Sequence, residues 1–318
     1  AAIDANNDLT TEEKNAAKAD AQAKANAAKT AIDNATTNVA VDSAQTAGTT
    51  SVSSVTPTAV AKPVAKKAID DALKAKEAQL DARNDLTTEE KEAAKADAQA
   101  RATAAKNNID TATTNSTVDN AKTTGVADVE SVNPQASQKK TDAKNAVDEA
   151  LKTKEAAIDA NNDLTAEEKT VAKAEAKAKA DAAKVAIDNA TTNDAVDQAK
   201  ANGTTEVTNV TPTPVAKPAA KQAIDDALKA KNDAIDANND LTAEEKAKAK
   251  EDAKAKADAA KQAIDNATTN DAVTQAKNDG AASVSSVTPT AQAKPAAKQA
   301  IDDALKAKND AIDANNDL

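Results

Sequence analysis

The run from Pro218 to Ala267, PAAKQAIDDALKAKNDAIDANNDLTAEEKAKAKEDAKAKADAAKQAIDNA, decides the fold. It reads as two amphipathic helices around an Asn-Asn-Asp turn. Proline suits a first helical position, where its missing N–H is not needed, so helix one is predicted to start at Pro218. Ala220, Ile224, Ala227 and Ala234 follow a helical rhythm, with Lys231 in the gap and Leu228 and Ile235 beside them. That makes an apolar face of about three residues in seven, the width of a bundle helix. Asp225, Asp226, Lys229 and Asp233 take the other surface, and Asp225–Lys229 is an i,i+4 pair of the favourable order.

Helix two opens on a capping box, with Thr242 placed to accept from the Glu245 backbone N–H while the Glu245 carboxylate reaches back. The same pair recurs as Thr10/Glu13, Thr87/Glu90 and Thr165/Glu168. Its stripe is almost wholly alanine: Ala249, Ala253, Ala257, Ala260, Ile264 and Ala267. Alanine is the strongest helix former, and small side chains let two helices approach closely. This stripe reads as a packing seam. A short helix three follows, with Thr268-Thr269-Asn270 supplying the cap and Ala272, Val273 and Ala276 the apolar patch. Gly280 is expected to close it in the left-handed conformation. From Ala281 to Lys294 the chain is expected to be an extended connector. Val284 and Val287 are three apart, which fits a polyproline-like run lying along the helices rather than an alternating strand.

The motif returns along the whole chain. Leu9, Leu86, Leu164, Leu241 and Leu318 each end an Asn-Asp-Leu turn, in steps of 77, 78, 77 and 77 residues. The only four glycines, Gly48, Gly125, Gly203 and Gly280, keep the same beat, as do the valine pairs Val52/Val55, Val129/Val132 and Val207/Val210. Strong self-similarity at a long period marks a linear array of supersecondary units. The extra residue lies between Pro134 and Val147, where Thr141 also replaces the proline of Pro63, Pro218 and Pro295. Residues 1–62 read as a partial unit, 63–140, 141–217 and 218–294 as full repeats, and 295–318 as a second partial unit. The chain opens and closes inside the same turn, as a slice of a longer array would. Helix one runs up, helix two back and helix three up again, and the connector advances the chain by about 3 Å per residue. The expected fold is therefore all-α: small three-helix bundles, two long helices and one short, strung into an elongated rod.

Composition agrees with thin separate cores. Val, Ile and Leu make up 41 of 318 residues, and Phe, Trp, Tyr, Met, Cys and His are absent. So low an apolar content would suit disorder, but a disordered chain has no reason to keep the helical periodicity. The net charge of −11 is evenly interleaved, with no basic block for phosphates and no aromatics for base stacking, so nucleic acid is not an expected partner. No apolar run is long enough to span a membrane. Lack of cysteine excludes a disulfide framework without fixing the redox compartment.

Few residues invite chemistry. Asp236, Asn238 and Asp240 carry oxygens at positions 1, 3 and 5 of a calcium-type loop, but positions 6 and 12 hold Leu241 and Ala247 instead of Gly and Glu. The copy with Glu92 at position 12 has Arg83 at position 3. These read as an interhelical turn, and no metal is expected. Asn189-Ala190-Thr191 matches a glycosylation acceptor yet falls at a helix end, where turn chemistry explains it. The Thr-Pro-Thr stretches around Pro57 and Pro212 fit a stiff connector better than a ligand for a proline groove. With no His or Cys, no hydroxyl has a base beside it, and consecutive acids such as Asp225 and Asp226 point to different sides of a helix. No catalytic residue, cofactor or enzymatic activity is expected.

The string AIDxAxxAKxxxIDANxDLTxEEK…AKxAID(N/T)ATTNxxVxxAK…G resembles the repeats catalogued as domain of unknown function 1542, over essentially the whole chain. The departures, Arg83 for Asn and Thr141 for Pro, touch turn and cap positions. The resemblance implies a setting in large wall-anchored surface proteins of Gram-positive bacteria, where such repeats form the stalk between an adhesive region and the anchor. A spacer is the function expected on that basis, with neighbouring repeats of the same chain as partners. The alternatives are a repeat module that grips a host matrix or serum protein, or lateral contact with another copy. Against gripping stands the lack of interface anchors, since the only arginines are Arg83 and Arg101 and there are no aromatics.

Overall fold

The computed structural model describes residues 2–314, so the turn ending at Leu318 lies outside the described residues. Among the described residues the regular structure is thirteen α-helices. They fall into two compact units, Ala1–Ala143 with Ala186–Ala199 and Lys144–Val185 with Lys200–Leu318.

The first unit contains α1 (Ala2–Ala5), α2 (Thr11–Asp33), α3 (Asn38–Ser53), α4 (Ala61–Asp81), α5 (Thr88–Thr111) and α6 (Asn115–Glu130). It also holds the start of α7 (Gln138–Ala160), the end of α8 (Ala166–Asn189) and the start of α9 (Asn193–Thr208). α4, α5 and α6 pack pairwise into a three-helix bundle. Its core is Ile69 and Ile109, with Ala65, Ala102, Ala105, Val118 and Val129 around them. Leu80, Ala94, Ala98 and Val132 extend it toward the turn.

The second unit contains the rest of α7, α8 and α9, then α10 (Ala216–Ala237), α11 (Ala243–Asn266), α12 (Asn270–Ser285) and α13 (Ala293–Asp313). α10, α11 and α12 repeat the bundle, with Ala220, Ile224, Ala257, Ala260, Ile264, Val273 and Val284 in the core. The predicted alanine seam is buried along its whole length, from Ala249 to Ala267. The capping boxes form as expected: Thr242 accepts from the Glu245 N–H at 3.3 Å and Glu245 Oε2 from the Thr242 N–H at 2.9 Å.

Helix three is where the structure departs from the sequence expectation. α12 runs straight through Gly280 to Ser285, and no described glycine has a positive φ. Gly280 is buried against Ala260 of α11, so close that an added Cβ would lie under 3 Å from the alanine Cβ. The glycine is there for close helix approach and not for a left-handed cap. Val284 is then a fully buried residue of the helix, and Val287 is buried just past its end. Their spacing of three was helical periodicity, and the true connector shrinks to residues 286–292. The helix-three face is Val273, Gly280 and Val284, while Ala272 is exposed.

Helix one differs in detail. α10 starts at Ala216, two residues before Pro218, which is still within the first turn where no intrahelical donor is required. Ala234 is exposed, and the face closes instead through Lys231, whose ammonium donates to the Val287 carbonyl at 3.0 Å. Asp225 pairs across to Lys261 of α11, and Lys229 turns to Asp233 at 2.7 Å. Interhelical pairing wins because the bundle brings a second lysine to Asp225. At α7 the helix is capped by Ser137, and the Thr141 N–H donates to the Ser137 carbonyl at 3.1 Å, a bond that proline could not make.

Candidate functional site

The feature built with most care is the junction between consecutive repeats. It starts from the glutamate of the capping box. Glu168 holds its own helix start through Oε2, while Oε1 accepts from the backbone N–H groups of Val215 and Ala216, both at 2.9 Å. One side chain thus caps α8 and also α10, the first helix of the next repeat. Glu13 does the same for Val60 and Ala61, and Glu245 for Gln292 and Ala293. Glu90 instead accepts from the Ser137 hydroxyl at 2.9 Å. Orphan N–H groups at a helix start favour an anion.

The carboxyls respond to this setting. Burial alone would raise Glu168, but the N–H groups of Ala216, Thr165 and Val215 hold it below its ordinary value. Glu13 is lowered in the same balance, against burial, by Ala61, Thr10 and Val60. The N–H groups of Thr242, Gln292 and Ala293 lower Glu245.

A lysine closes the other side. Lys217 is 4% exposed, and its ammonium donates at 2.7 Å both to the Asn162 carbonyl, in the turn of the preceding repeat, and to the Asp265 carbonyl near the end of α11. Lys62 bridges Asn7 and Asp110, and Lys140 bridges Asn84 and Asp188, in the same way. A cation at a helix C-terminus meets unpaired carbonyls and the negative end of the dipole. The main chain adds a direct bond: the N–H groups of Thr11, Thr88 and Ala166 donate to the carbonyls of Thr113, Thr191 and Thr268 at 2.7–2.8 Å. Beside it, Glu12, Glu89 and Glu167 accept from the N–H groups of Asn115, Asn193 and Asn270. Small clefts flank the junction, for example about 510 Å³ lined by Asn162, Lys217 and Thr268.

The residues singled out for chemistry fall into this framework. The Asn238 side chain accepts from the Asp240 N–H at 2.9 Å, closing an Asx turn, and the Asp236 carboxylate is paired with Lys250 at 2.5 Å. Arg83 replaces the Asx turn by gripping Asp85 and the Pro134 carbonyl. Glu92 pairs with Lys95. Asn189 ends α8, and the Thr191 carbonyl belongs to the junction. Thr56-Pro57-Thr58 and Thr211-Pro212-Thr213 lie in connectors. Asp225 faces Lys261, whereas Asp226 accepts from Gln222. Among the described residues no group of three or more acids could hold a metal ion, and no helix is long and apolar enough to cross a membrane.

The sequence reading missed the second role of the glutamate and all of the lysine bridge. The lysine left a signal, since Lys62, Lys140, Lys217 and Lys294 keep the 77-residue beat with its single extra residue. A lysine that recurs on the apolar side of a helix start is here the trace of main-chain carbonyls that receive its ammonium.

Alanine-seamed three-helix bundles in tandem, joined by shared caps, define a class of helical repeat protein. The chain belongs to the family described as Domain of Unknown Function (DUF1542), which matches residues 1–60, 61–137, 139–215 and 216–292. It is similar to the "Extracellular matrix-binding protein EbhA" of Staphylococcus aureus strain Newman, 32% identical over 259 residues, or 81% of this chain and 8% of that protein. The "Extracellular matrix-binding protein ebh" of strain NCTC 8325 / PS 47 is 32% identical over the same share of this chain and 3% of its own length. The chain therefore spans less than a tenth of these relatives. No solved structure matches it.

Proposed function

We propose that the array is a spacer: stalk repeats of an extracellular protein on the wall of a Gram-positive bacterium, projecting a functional domain outward. The observation that carries this reading is the recurrence of one junction from repeat to repeat, with the lysine bridge of Lys62, Lys140 and Lys217 and a capping-box glutamate that reaches the next helix start, through two N–H groups at Glu13, Glu168 and Glu245 and through the Ser137 hydroxyl at Glu90. A surface that is spent on the neighbouring repeat suits a part whose work is to hold its neighbours in place. The extracellular setting rests on the names of the relatives. Small-angle scattering from arrays of two, four and eight repeats tests the spacer. Its maximum dimension rises linearly with repeat number, and a plateau at a compact size rejects it.

A second reading has one specific support, the matrix-binding names of the relatives. Here the helix faces grip a host matrix or serum protein, and repetition supplies avidity. Saturable binding of the chain to an immobilised matrix protein, lost on competition with free chain, favours this reading over a passive spacer.

A further inference from the structure

We propose that the junctions are of two kinds: those at Val60, Val215 and Gln292 loosen in acid, while the one at Ser137 holds whether its glutamate is ionised or protonated. The difference lies in what faces the second carboxyl oxygen. α4, α10 and α13 have no side-chain cap of their own, so each borrows the capping-box glutamate of the repeat before it. Ionised Glu168 accepts from the N–H groups of Thr165, Val215 and Ala216, all at 2.9 Å. Backbone N–H groups only donate. Protonation turns one oxygen into a hydroxyl, a poorer acceptor whose hydrogen meets an N–H, not an acceptor, at each of these contacts. Ser137 changes this. It is 3% exposed and caps α7 itself, with Oγ accepting from the Lys140 N–H at 3.2 Å and its own N–H donating to the Asp85 carbonyl at 3.2 Å. Glu90 Oε1 is reached by the Ser137 hydroxyl, at 2.9 Å. A hydroxyl donates or accepts as its partner requires. When Glu90 is ionised the hydroxyl donates to it, and when Glu90 is protonated the carboxyl donates to the remaining lone pair of Ser137 Oγ. The Lys140 and Ser137 N–H groups keep their acceptors in both states.

The charged groups around each junction leave that choice to the donors. The elements that meet at Glu168 bring Glu167 and Glu175 of α8, Lys217 of α10 and Asp271 at the start of α12. Glu167 accepts from the Asn270 N–H, and Lys217 gives its ammonium to two carbonyls. At Glu13 the corresponding groups are Glu12, on the Asn115 N–H, Asp20, paired with Lys24, and Lys62, on two carbonyls. At Glu245 they are Glu244, Asp252 and Lys294, the last on the Asn239 carbonyl. At Glu90 they are Glu89, on the Asn193 N–H, Asp97, paired with Arg101, Lys140, on two carbonyls, and Asp194 at the start of α9. Beside them Asp85 is held by Arg83 and Lys139 by Asp197. Among the described residues none of the four capping glutamates takes part in an ion pair, so amide against hydroxyl is what separates the two kinds.

Hydrogen exchange of the 318-residue chain, resolved to single amides by mass spectrometry, tests this. E168Q is a neutral stand-in for the protonated acid. Whichever way its side-chain NH₂ turns it meets an N–H, so protection of Val215 and Ala216 falls about tenfold. In E90Q the NH₂ turns to Ser137 Oγ, which accepts, and protection of Ser137 and Lys140 stays within about twofold of the parent. S137A removes the acceptor of the Lys140 N–H and lowers its protection about tenfold. When the parent chain is taken from pH 7 to about 3, with rates corrected for the intrinsic effect of pH, Val215 and Ala216 lose about tenfold more protection than Lys140. Equal losses in E168Q and E90Q at their respective helix starts overturn the proposal. So does E168Q with Val215 and Ala216 as protected as in the parent, S137A with Lys140 unchanged, or acid that opens the start of α7 as far as that of α10.

Discussion

At the scale of single residues, the glycines carry the sharpest consequence. Glycine inside a helix is about 1 kcal/mol less favourable than alanine, so G280A would stabilise the protein if propensity alone decided. The added methyl, however, meets the Ala260 Cβ at under 3 Å and stands at 3.0 Å from Ile224 Cδ1. An alanine Cβ cannot swing aside, and overpacking of this kind costs about 1–3 kcal/mol. Overpacking wins. G280A is expected to be net destabilised by about 1 kcal/mol in urea unfolding, and A260G/G280A to recover most of the contact as a positive coupling in a double-mutant cycle. Stability equal to or above the parent for G280A would show that the helices can part without loss. The residue also explains a misreading. A lone glycine near the end of an apolar run signals a C-cap or a close approach, and only the neighbouring helix tells the two apart.

At the scale of elements, the lysine bridge shows how a helix start is fixed by a turn far away in the sequence. K217M keeps the aliphatic stem and removes both bonds, leaving the Asn162 and Asp265 carbonyls without that partner. Loss of hydrogen bonds from a charged donor should cost about 2 kcal/mol, read as a lower urea midpoint with an unchanged slope. K229M, at an exposed position paired only with Asp233, should change little. Equal effects of the two would deny the bridge its role. These contacts mark the limit of what could be read ahead. The two long helices, their capping boxes and the alanine seam were legible because each depends on local periodicity and neighbouring side chains. The length of helix three was not, since Val284 and Val287 fit a helix or an extended run equally until a core shows which they face. The junction was hidden for the same reason, because its acceptors are main-chain carbonyls, which any sequence possesses.

At the scale of the whole molecule, repetition turns small local effects into a collective one. In a linear array stability is close to a sum of repeat terms and nearest-neighbour terms, so a group that sits at each junction is counted once per junction. Glu13, Glu168 and Glu245 are all held below their ordinary value of 4.5 by backbone N–H groups of two helices, against the desolvation that raises each of them and is largest for the first two. A carboxyl lowered on folding contributes stability that is fully present above its unfolded pKa and is lost as pH falls through the folded one. The thermal midpoint is therefore expected to stay level from pH 8 to about 5 and to decline below about 4.5. Each contribution is modest, because water screens these partly exposed groups. E13Q/E168Q/E245Q removes the titrating groups while keeping one acceptor oxygen at each site. It should lower the midpoint at pH 7 and flatten the acid slope, so that the two profiles draw together as the pH falls. Parallel profiles, offset by the same amount at every pH, would place the acid sensitivity in other carboxylates and leave these glutamates only a geometric part in joining the repeats.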